Sequence, residues 1–170
     1  MKCLHVRAWL LVVCLAMLIP ASGVAQPLSY IGLYADPYHY DGDVVIWEPY
    51  AGWTTWVWVM PGNDGMMCAE FMIQNPPYVL NIGTTPNPAH SVTLGDPFTG
   101  ISICFPECQY DWTWLYQLSA LPVEVGPYDY VYVLPHPDTD AVQIATCEAG
   151  YPIQPVTYCL HLGINQYSGG

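Results

Sequence analysis

Positive charge is almost missing from this sequence. Its 170 residues include only two Lys or Arg against fourteen Asp or Glu, and both cations, Lys2 and Arg7, lie near the N-terminus. Residues 26–170 therefore carry a formal charge of −14 with histidine neutral. Binding to nucleic acid or to anionic membranes requires cations, so both partners are excluded. Schiff-base lysines, arginine clamps and lysine-dependent phosphate loops are excluded for the same reason.

Long hydrophobic runs are also scarce. The longest covers residues 8–19, fewer than the roughly 20 residues that a membrane-spanning helix needs. It follows the basic start and precedes Pro20 and a series of small residues that ends at Ala25. This pattern is typical of a secretory signal peptide. We therefore expect a signal peptide at 1–25, no membrane anchor, and a mature protein that is secreted or periplasmic.

The mature part, residues 26–170, has the composition of one folded domain. Only 9% of the chain is charged and 53% is hydrophobic, unlike a disordered acidic tail. Seventeen prolines and fourteen glycines separate short β-branched and aromatic runs, and no ten-residue stretch has a clear helical period. We expect an all-β fold, a single two-sheet antiparallel β-sandwich. The predicted strands are 28–35, 44–48, 53–60, 66–74, 78–83, 90–95, 100–105, 111–118, 128–134, 141–147 and 156–165.

Two local patterns lead to more specific predictions. Residues 61–65 (PGNDG) accept positive φ readily, so the strands on either side are expected to pair as a hairpin. In the last predicted strand, alternation places Tyr158, Leu160, Leu162 and Ile164 on one face, which we expect to lie in the core.

Five cysteines remain after the predicted cleavage: Cys68, Cys104, Cys108, Cys147 and Cys159. In an exported protein we expect two disulfide bonds and one free thiol, and the sequence leaves the pairing open. Metal binding is the alternative. It is disfavoured because Cys104 and Cys108 lack the two-residue spacing of zinc knuckles and have no neighbouring histidine.

Several short motifs carry a resemblance to known proteins. They are residues 66–71 (MMCAEF), 91–96 (SVTLGD), 100–103 (GISI) and 134–137 (LPHP) ahead of Cys147. With them the chain resembles a loose group of uncharacterised secreted bacterial proteins, and its pattern is similar to cohesin-like and immunoglobulin-like sandwiches. The resemblance covers about residues 30–165. It implies export and the sandwich fold, and it implies no activity and no catalytic residues.

Aromatic residues at alternate positions are the first candidate site, because side chains two apart share a face of a strand. If exposed, such ladders could stack on sugar rings. If not, they cover the sheets and form cross-strand pairs. The three ladders are Trp56 and Trp58; Trp112, Trp114 and Tyr116; and Tyr128, Tyr130 and Tyr132.

Clustered carboxylates are the second candidate. Oxygen ligands for Ca²⁺ could come from Asp36, Asp41 and Asp43 in one loop, or from Asp138 and Asp140 in another. Neither loop has the regular alternation of an EF-hand, and Asp is common in turns for its own backbone hydrogen bonds. Calcium is the one cofactor that the sequence suggests. The four mature histidines, His39, His90, His136 and His161, form no recognised zinc motif.

Catalytic signals are weak. The chain has no Gly-x-Ser-x-Gly elbow, and a cysteine nucleophile would lack a stabilising cation. A glycosidase needs only two suitably spaced carboxylates, and Glu48, Glu70, Glu107 and Glu124 are available. Glu70 is the first of these to test.

Three functional hypotheses follow. The leading one is a secreted, non-enzymatic β-sandwich module for extracellular binding, to a glycan or a protein, or for surface structure. The second is a secreted hydrolase that cleaves polysaccharide with paired carboxylates. The third is a subunit of an extracellular assembly, which an unpaired strand edge or a large apolar patch would favour.

Overall fold

The structure is a computed structural model that describes residues 28–165. In this range every regular element is a β-strand, and there is no helix that could cross a membrane. The predicted signal peptide, residues 1–25, lies outside the described residues. The strands are β1 (Tyr30–Tyr34), β2 (Asp43–Val44), β3 (Trp53–Met60), β4 (Met66–Gln74), β5 (Val79–Pro86), β6 (Val92–Asp96), β7 (Gly100–Gln109), β8 (Thr113–Pro122), β9 (Asp129–Leu134), β10 (Gln143–Ala145), β11 (Ile153–Pro155), β12 (Tyr158–Leu160) and β13 (Leu162–Ile164).

These strands form two sheets. The five-stranded sheet has the order β12-β1-β3-β8-β5. The eight-stranded sheet has the order β11-β10-β4-β9-β13-β2, and β7 and β6 extend it from the other side of β4. β1 pairs with β12 in parallel, as β2 does with β13, and the other pairs among the described strands are antiparallel. The predicted all-β sandwich is confirmed.

Alternation along the strands builds the core between the sheets. Val57 and Val59 of β3 are fully buried, and so are Phe71 of β4 and Ile101 and Ile103 of β7 in the opposite sheet. All five belong to one hydrophobic cluster. Burying a side chain of this size contributes roughly 1.5–3 kcal/mol, so the core is the main source of stability.

Two disulfide bonds and one free thiol occur, as predicted. Cys68 of β4 is bonded to Cys104, its direct partner in the register of β7. Cys108 near the end of β7 is bonded to Cys147, which follows β10. Cys159 of β12 is free and half-buried. Burial raises the pKa of its thiol, which disfavours the reactive thiolate.

The hairpin predicted at residues 61–65 is wrong. Gly62 and Gly65 do have positive φ, 78° and 67°, but the turn carries the chain from one sheet to the other. Both edges of β3 are occupied by β1 and β8, whereas β4 pairs with β7, β9 and β10. Turn chemistry specifies a reversal of direction, and the pairing partner is decided by strands that are distant in sequence.

The predicted strand 156–165 is two strands in different sheets, so its core assignment is half wrong. Tyr158 and Leu160 of β12 are 50% and 42% exposed, while Leu162 and Ile164 of β13 are fully buried. The alternation is regular, but the chain leaves the five-stranded sheet after Leu160 and joins the other sheet. A side chain that points away from the core in one sheet points toward it in the other.

Two of the edge strands, β5 and β11, have features that disfavour pairing with another chain. β5 has a register shift between Asn81 and Gly83, and the Asn81 side chain accepts the Gly83 N–H at 3.2 Å. β11 is three residues long and ends at Pro155. Bulges, prolines and short lengths all disfavour edge-to-edge addition. The edges at β5 and β11 thus give little support to an assembly built by strand pairing.

Candidate functional site

The five-stranded sheet has an aromatic outer face. Trp56 and Trp58 lie there, because the alternate residues Val57 and Val59 point into the core. Trp114 of β8 is opposite Trp58 in the register. The rings of Trp56 and Trp114 meet edge to face, with centroids 5.2 Å apart at 80°. They contact each other and do not form a flat platform.

Tyr116 does not share the face of Trp114, contrary to the predicted ladder. The register between β3 and β8 shifts at this point, so that Trp58 pairs with Trp114 and Val57 with Tyr116. Leu115 is therefore the extra residue of a β-bulge. The bulge turns Tyr116 into the core, where it is 3% exposed. Burial, followed by the charge of Asp96, raises the pKa of its hydroxyl.

A loop at residues 35–42 places His39 on the aromatic face. The His39 ring stacks on Trp112, with centroids 4.3 Å apart at 16°, and also contacts Trp58 at 4.8 Å and the edge of Tyr34 at 6.1 Å. The backbone of His39 has a φ of 55°, which is uncommon for a non-glycine residue. His39 Nδ1 and Trp58 Nε1 are both buried, and neither has a hydrogen-bond partner among residues 28–165. The contacts with aromatic rings therefore hold His39 in place.

Asp36 fixes that loop through hydrogen bonds to its backbone. Its carboxylate accepts the backbone N–H groups of Tyr38 and Tyr40 at 2.6 and 2.9 Å, and a third from Asp41 at 2.5 Å. Burial alone would raise the pKa of Asp36, but these three hydrogen bonds and the charge of His39 outweigh it and lower the pKa. The sequence left this loop open between a calcium site and a turn with its own Asp hydrogen bonds. The hydrogen bonds of Asp36 are those of such a turn, and calcium binding by the loop stays a prediction.

The remaining calcium candidates are exposed residues in two separate parts of the chain. Asp41 and Asp43 are exposed, as are Asp138 and Asp140 in the turn between β9 and β10. Asp140 has a φ of 52° and donates its N–H to the His136 carbonyl. Among residues 28–165, no three His, Cys, Asp or Glu side chains are arranged to hold a metal ion.

The third aromatic ladder lies on the eight-stranded sheet. Tyr130 and Tyr132 of β9 point outward, with centroids 5.8 Å apart, and Tyr128 precedes the strand in an exposed position. The ring of His161 meets Tyr132 edge to face at 4.8 Å, and its Nδ1 accepts the Val133 N–H at 3.4 Å. Burial lowers the pKa of His161. These rings, like those of the other sheet, are packed against one another.

A carboxylate, Glu70, stands on the outer face of the same sheet, at strands β6, β7, β4 and β10. The register aligns Leu94, Ser102, Glu70 and Gln143 across these four strands. Ser102 Oγ donates to Glu70 Oε1 at 2.8 Å, and Gln143 Nε2 donates to Glu70 Oε2 at 2.7 Å. Glu70 is half-buried. Its side chain is held in one orientation by neutral groups.

The adjacent row of this face is apolar. It consists of Val92, the Cys104–Cys68 disulfide, Ala145 and Ile153, which are successive partners in the register. Val92 and Ile153 are 47% and 58% exposed, and Leu94 in the neighbouring row is 66% exposed. We call these two rows together the β6–β11 face. It combines exposed apolar side chains with one fixed carboxylate, a composition that suits a binding surface.

A groove opens on the β6–β11 face beside Glu70. Its volume is about 440 Å³, and its lining combines residues of the sheet, Glu70, Ser102 and Leu94, with residues of the turn after β9, His136, Pro137 and Asp138. We call it the Glu70 groove. Glu48, Glu107 and Glu124 are exposed and are not among its lining residues. Two of the carboxylates singled out in the sequence, Glu70 and Asp138, are thus brought to the same groove.

Sequence reasoning found Glu70 but missed its surroundings. The alternation of β4 shows that Glu70 faces away from Ala69 and Phe71, which are buried. The partners Ser102 and Gln143 are 32 and 73 residues away, so only the strand register identifies them.

Comparison with known proteins gives the fold a name. No protein-family model matches the chain, and no curated protein matches its sequence. The fold matches a type III cohesin module from the ScaE cell-surface anchoring scaffoldin of Ruminococcus flavefaciens, with a TM-score of 0.58 and 12% identity over 84% of this chain and 89% of the other. A cohesin module from a Clostridium perfringens family 33 glycoside hydrolase matches with a TM-score of 0.56 and 8% identity, over 82% of this chain and 98% of the other.

A third match is a type I cohesin–dockerin complex from Clostridium thermocellum, with a TM-score of 0.53 and 9% identity over 81% of this chain and 97% of the other. Identities this low establish the fold alone. The domain is a cohesin-like β-sandwich, as the sequence motifs implied.

Proposed function

We propose that this domain is a non-enzymatic, extracellular module that binds a protein partner through the β6–β11 face. The observation that supports this most strongly is the combination of exposed apolar side chains with a carboxylate fixed by Ser102 and Gln143. Aromatic rings on the other sheet contact each other, so less of their surface is free. The match to a cohesin whose structure contains a dockerin supports a protein partner over a small ligand.

An extracellular location agrees with the chemistry of the chain. Two disulfide bonds are compatible with an oxidising compartment and uncommon in a reducing one. Residues 1–25 have the pattern of a secretory signal. Expression of the full chain in a bacterial host, followed by N-terminal sequencing of the exported product, should give a protein that starts at Gln26. Retention of Met1 in the exported or cellular protein would contradict the signal peptide.

The β6–β11 face can be tested with matched charge variants. We would replace the exposed Leu94 or Ile153 by Asp and, as a control, the exposed Thr85 on β5 of the other sheet. Each variant would be titrated with a panel of dockerins and with proteins captured from the extracellular fraction of the native host. We expect Thr85→Asp to bind like the wild type and Leu94→Asp to bind at least about tenfold more weakly, as for a central contact residue. Equal losses in both, or no loss in Leu94→Asp, would reject this face.

A hydrolase is the second candidate, because Glu70 and Asp138 line one groove. Glycosidases use two carboxylates that flank the scissile bond. The assay is release of reducing sugar from common polysaccharides by the wild type, with the Glu70→Gln and Asp138→Asn variants as controls. Activity that is present in the wild type and lost in both variants would show that the protein is a hydrolase and would overturn the proposed binding module.

Glycan and calcium binding remain predictions from the sequence. A glycan array with and without calcium, probed with the wild type and with Trp112→Ala and Trp114→Ala, tests both. Binding that the Trp variants lose would make the aromatic face a carbohydrate site. Calorimetric titration with calcium separates a resident ion from a ligand-dependent effect.

A further inference from the structure

We propose that the Glu70 groove accepts a cationic side chain from the partner, and that an arginine matches it best. This inference rests on the proposed function, because it specifies what the partner must present to the β6–β11 face. It follows from the charge of the chain, the hydrogen bonds of Glu70 and the shape of the groove.

Within residues 28–165, Glu70 has hydrogen bonds from neutral groups and no Lys or Arg as a counter-charge. Both of its partners, Ser102 and Gln143, are neutral, and residues 26–170 contain no Lys or Arg that could approach it. While the face is open, water stabilises the carboxylate. A partner that covers the face removes that water, and burying an uncompensated charge is strongly unfavourable. A partner that supplies a cation turns the same carboxylate into a favourable contact.

The geometry of Glu70 suits a forked donor. Each carboxylate oxygen accepts one hydrogen bond, at 2.8 Å for Oε1 and 2.7 Å for Oε2. Each oxygen can accept another, because an ionised carboxylate offers about four acceptor positions. A guanidinium group presents two parallel N–H donors that match the two oxygens of a carboxylate. An ammonium group supplies the charge but not this two-point match.

The turn after β9 adds a second negative charge to the groove, that of Asp138, and this turn is firmly positioned. His136 Nδ1 accepts the N–H of Asp138 at 3.2 Å, and the His136 N–H donates to the Ala141 carbonyl at 2.9 Å. Gly100 permits the close approach of this turn. A Cβ atom there would lie 2.9 Å from His136 Nε2 and 2.7 Å from Pro137 Cδ.

The remaining lining suits the aliphatic part of a long cationic side chain. Leu94 and Pro137 both line the groove, and long cationic side chains bury their methylene groups against apolar surface while the charged end meets polar groups. The volume of about 440 Å³ falls in the range of small-ligand sites. An acidic partner segment would be repelled by Glu70, Asp138 and the overall negative charge.

The experiment compares two nearly isosteric probes on the intact mature domain. Nα-acetyl-arginine amide carries the guanidinium, and Nα-acetyl-citrulline amide replaces it by a neutral urea group. Backbone amide resonances would be followed by NMR during titration with each. We expect the arginine probe to shift resonances of residues 68–72, 100–104 and 136–139, and the citrulline probe to leave them in place. Equal shifts from both probes, or shifts spread over the whole acidic surface, would overturn the proposal.

Matched variants separate a specific site from general attraction to an acidic protein. Glu70→Gln and Glu107→Gln each remove one negative charge, and Glu107 is an exposed residue of β7 outside the groove lining. We expect Glu70→Gln to weaken binding of the arginine probe about tenfold, since hydrogen bonds to charged groups are the stronger ones. Glu107→Gln should retain the wild-type affinity. Equal losses in the two variants would contradict a site at Glu70.

The same variants distinguish failure of this inference from failure of the proposed function. If Leu94→Asp abolishes binding of a protein partner and Glu70→Gln leaves it unchanged, the face binds protein and the cation inference is wrong. If the arginine probe binds at Glu70 but the protein partner ignores Leu94→Asp, the groove is real and the partner uses another surface. If Nα-acetyl-lysine amide binds more tightly than the arginine probe, the groove prefers an ammonium group to a guanidinium group.

Discussion

Removing the disulfides gives a quantitative test of what holds the sandwich together. The bonds close loops of 36 and 39 residues, Cys68–Cys104 and Cys108–Cys147. Loop-closure entropy in the unfolded chain assigns about 4 kcal/mol to each loop. The two loops do not overlap along the chain, so their contributions should add to about 8 kcal/mol. Because domains are typically stable by about 5–15 kcal/mol, loss of both bonds should leave the fold marginal or unfolded.

The surroundings of the two bonds differ, and this makes the test sharper. Cys68–Cys104 links residues that are already direct partners in the ladder of β4 and β7. Cys108–Cys147 ties the end of β7 to the segment after β10, where the Cys147 N–H donates to the Asp64 carbonyl at 3.0 Å. If loop entropy dominates, the two bonds should contribute equally in spite of this difference. If local packing dominates, the bond within the ladder should matter less.

The assay is urea unfolding followed by tryptophan fluorescence. The proteins are the wild type, the Cys68→Ala/Cys104→Ala and Cys108→Ala/Cys147→Ala pairs, and the quadruple variant. Each pair should lose about 4 kcal/mol in the free energy of unfolding. A loss below about 1 kcal/mol for either pair, or losses that differ more than about threefold, would refute the entropic reasoning. Cys159→Ala, which removes the free thiol, controls for the loss of a sulfur atom.

Three further predictions concern the core, pH and solubility. Phe71→Ala should lower the free energy of unfolding by about 3–5 kcal/mol because Phe71 is fully buried, whereas Val92→Ala at the surface should change it by less than about 0.5 kcal/mol; similar losses in urea unfolding would contradict the burial. Burial lowers the pKa of His161 below 6.5, so the unfolded chain takes up the proton first as the pH falls. The contribution of His161 to stability is therefore full above about pH 6.5 and is lost below it. The melting temperature of the wild type should fall more than that of His161→Gln between pH 7.5 and 5.5, and parallel curves would refute this. Solubility of residues 26–170 should reach a minimum near pH 4, where their carboxylates become neutral and no Lys or Arg supplies another charge; turbidity that stays constant from pH 7 to pH 4 would be inconsistent with it.

The fold class was predictable because it depends on local alternation. Alternation places Val57 and Val59 on the apolar face of β3 and Phe71 on the apolar face of β4. Two sheets that each have one apolar face bury those faces by packing together. The prediction failed where a decision is not local. The turn at residues 61–65 has the residues of a hairpin, yet β1 and β8 occupy both edges of β3. No property of the turn itself indicates this.

Two other failures have the same cause. Residues 158–164 alternate regularly, but the change of sheet after Leu160 reverses which side faces the core. A bulge at Leu115 likewise turns Tyr116 inward. In both places the alternation of side chains along the sequence is intact, but the set of alternate residues that faces the core changes. Such changes depend on the neighbouring strands, so a single sequence does not reveal them.

The candidate site was only partly predictable because it is assembled by register. Glu70 could be recognised as an outward-facing carboxylate from its own strand, whereas Ser102 and Gln143 reach it from strands that are remote in sequence. Asp36 shows the opposite case. Its three N–H donors lie within five residues along the chain, so the turn that they form could be predicted from the local sequence.

The absence of Lys and Arg from residues 26–170 connects the composition of the chain to its proposed binding surface. In a protein with Lys or Arg, a carboxylate such as Glu70 could be neutralised within the fold, and covering it would require nothing from a partner. Here Glu70 has only neutral hydrogen-bond partners, and Asp138 adds negative charge to the same groove. Specificity then follows from exclusion as well as attraction. An apolar or acidic surface that fits the β6–β11 face in shape would bury Glu70 without a counter-charge, whereas one with a well-placed arginine would not.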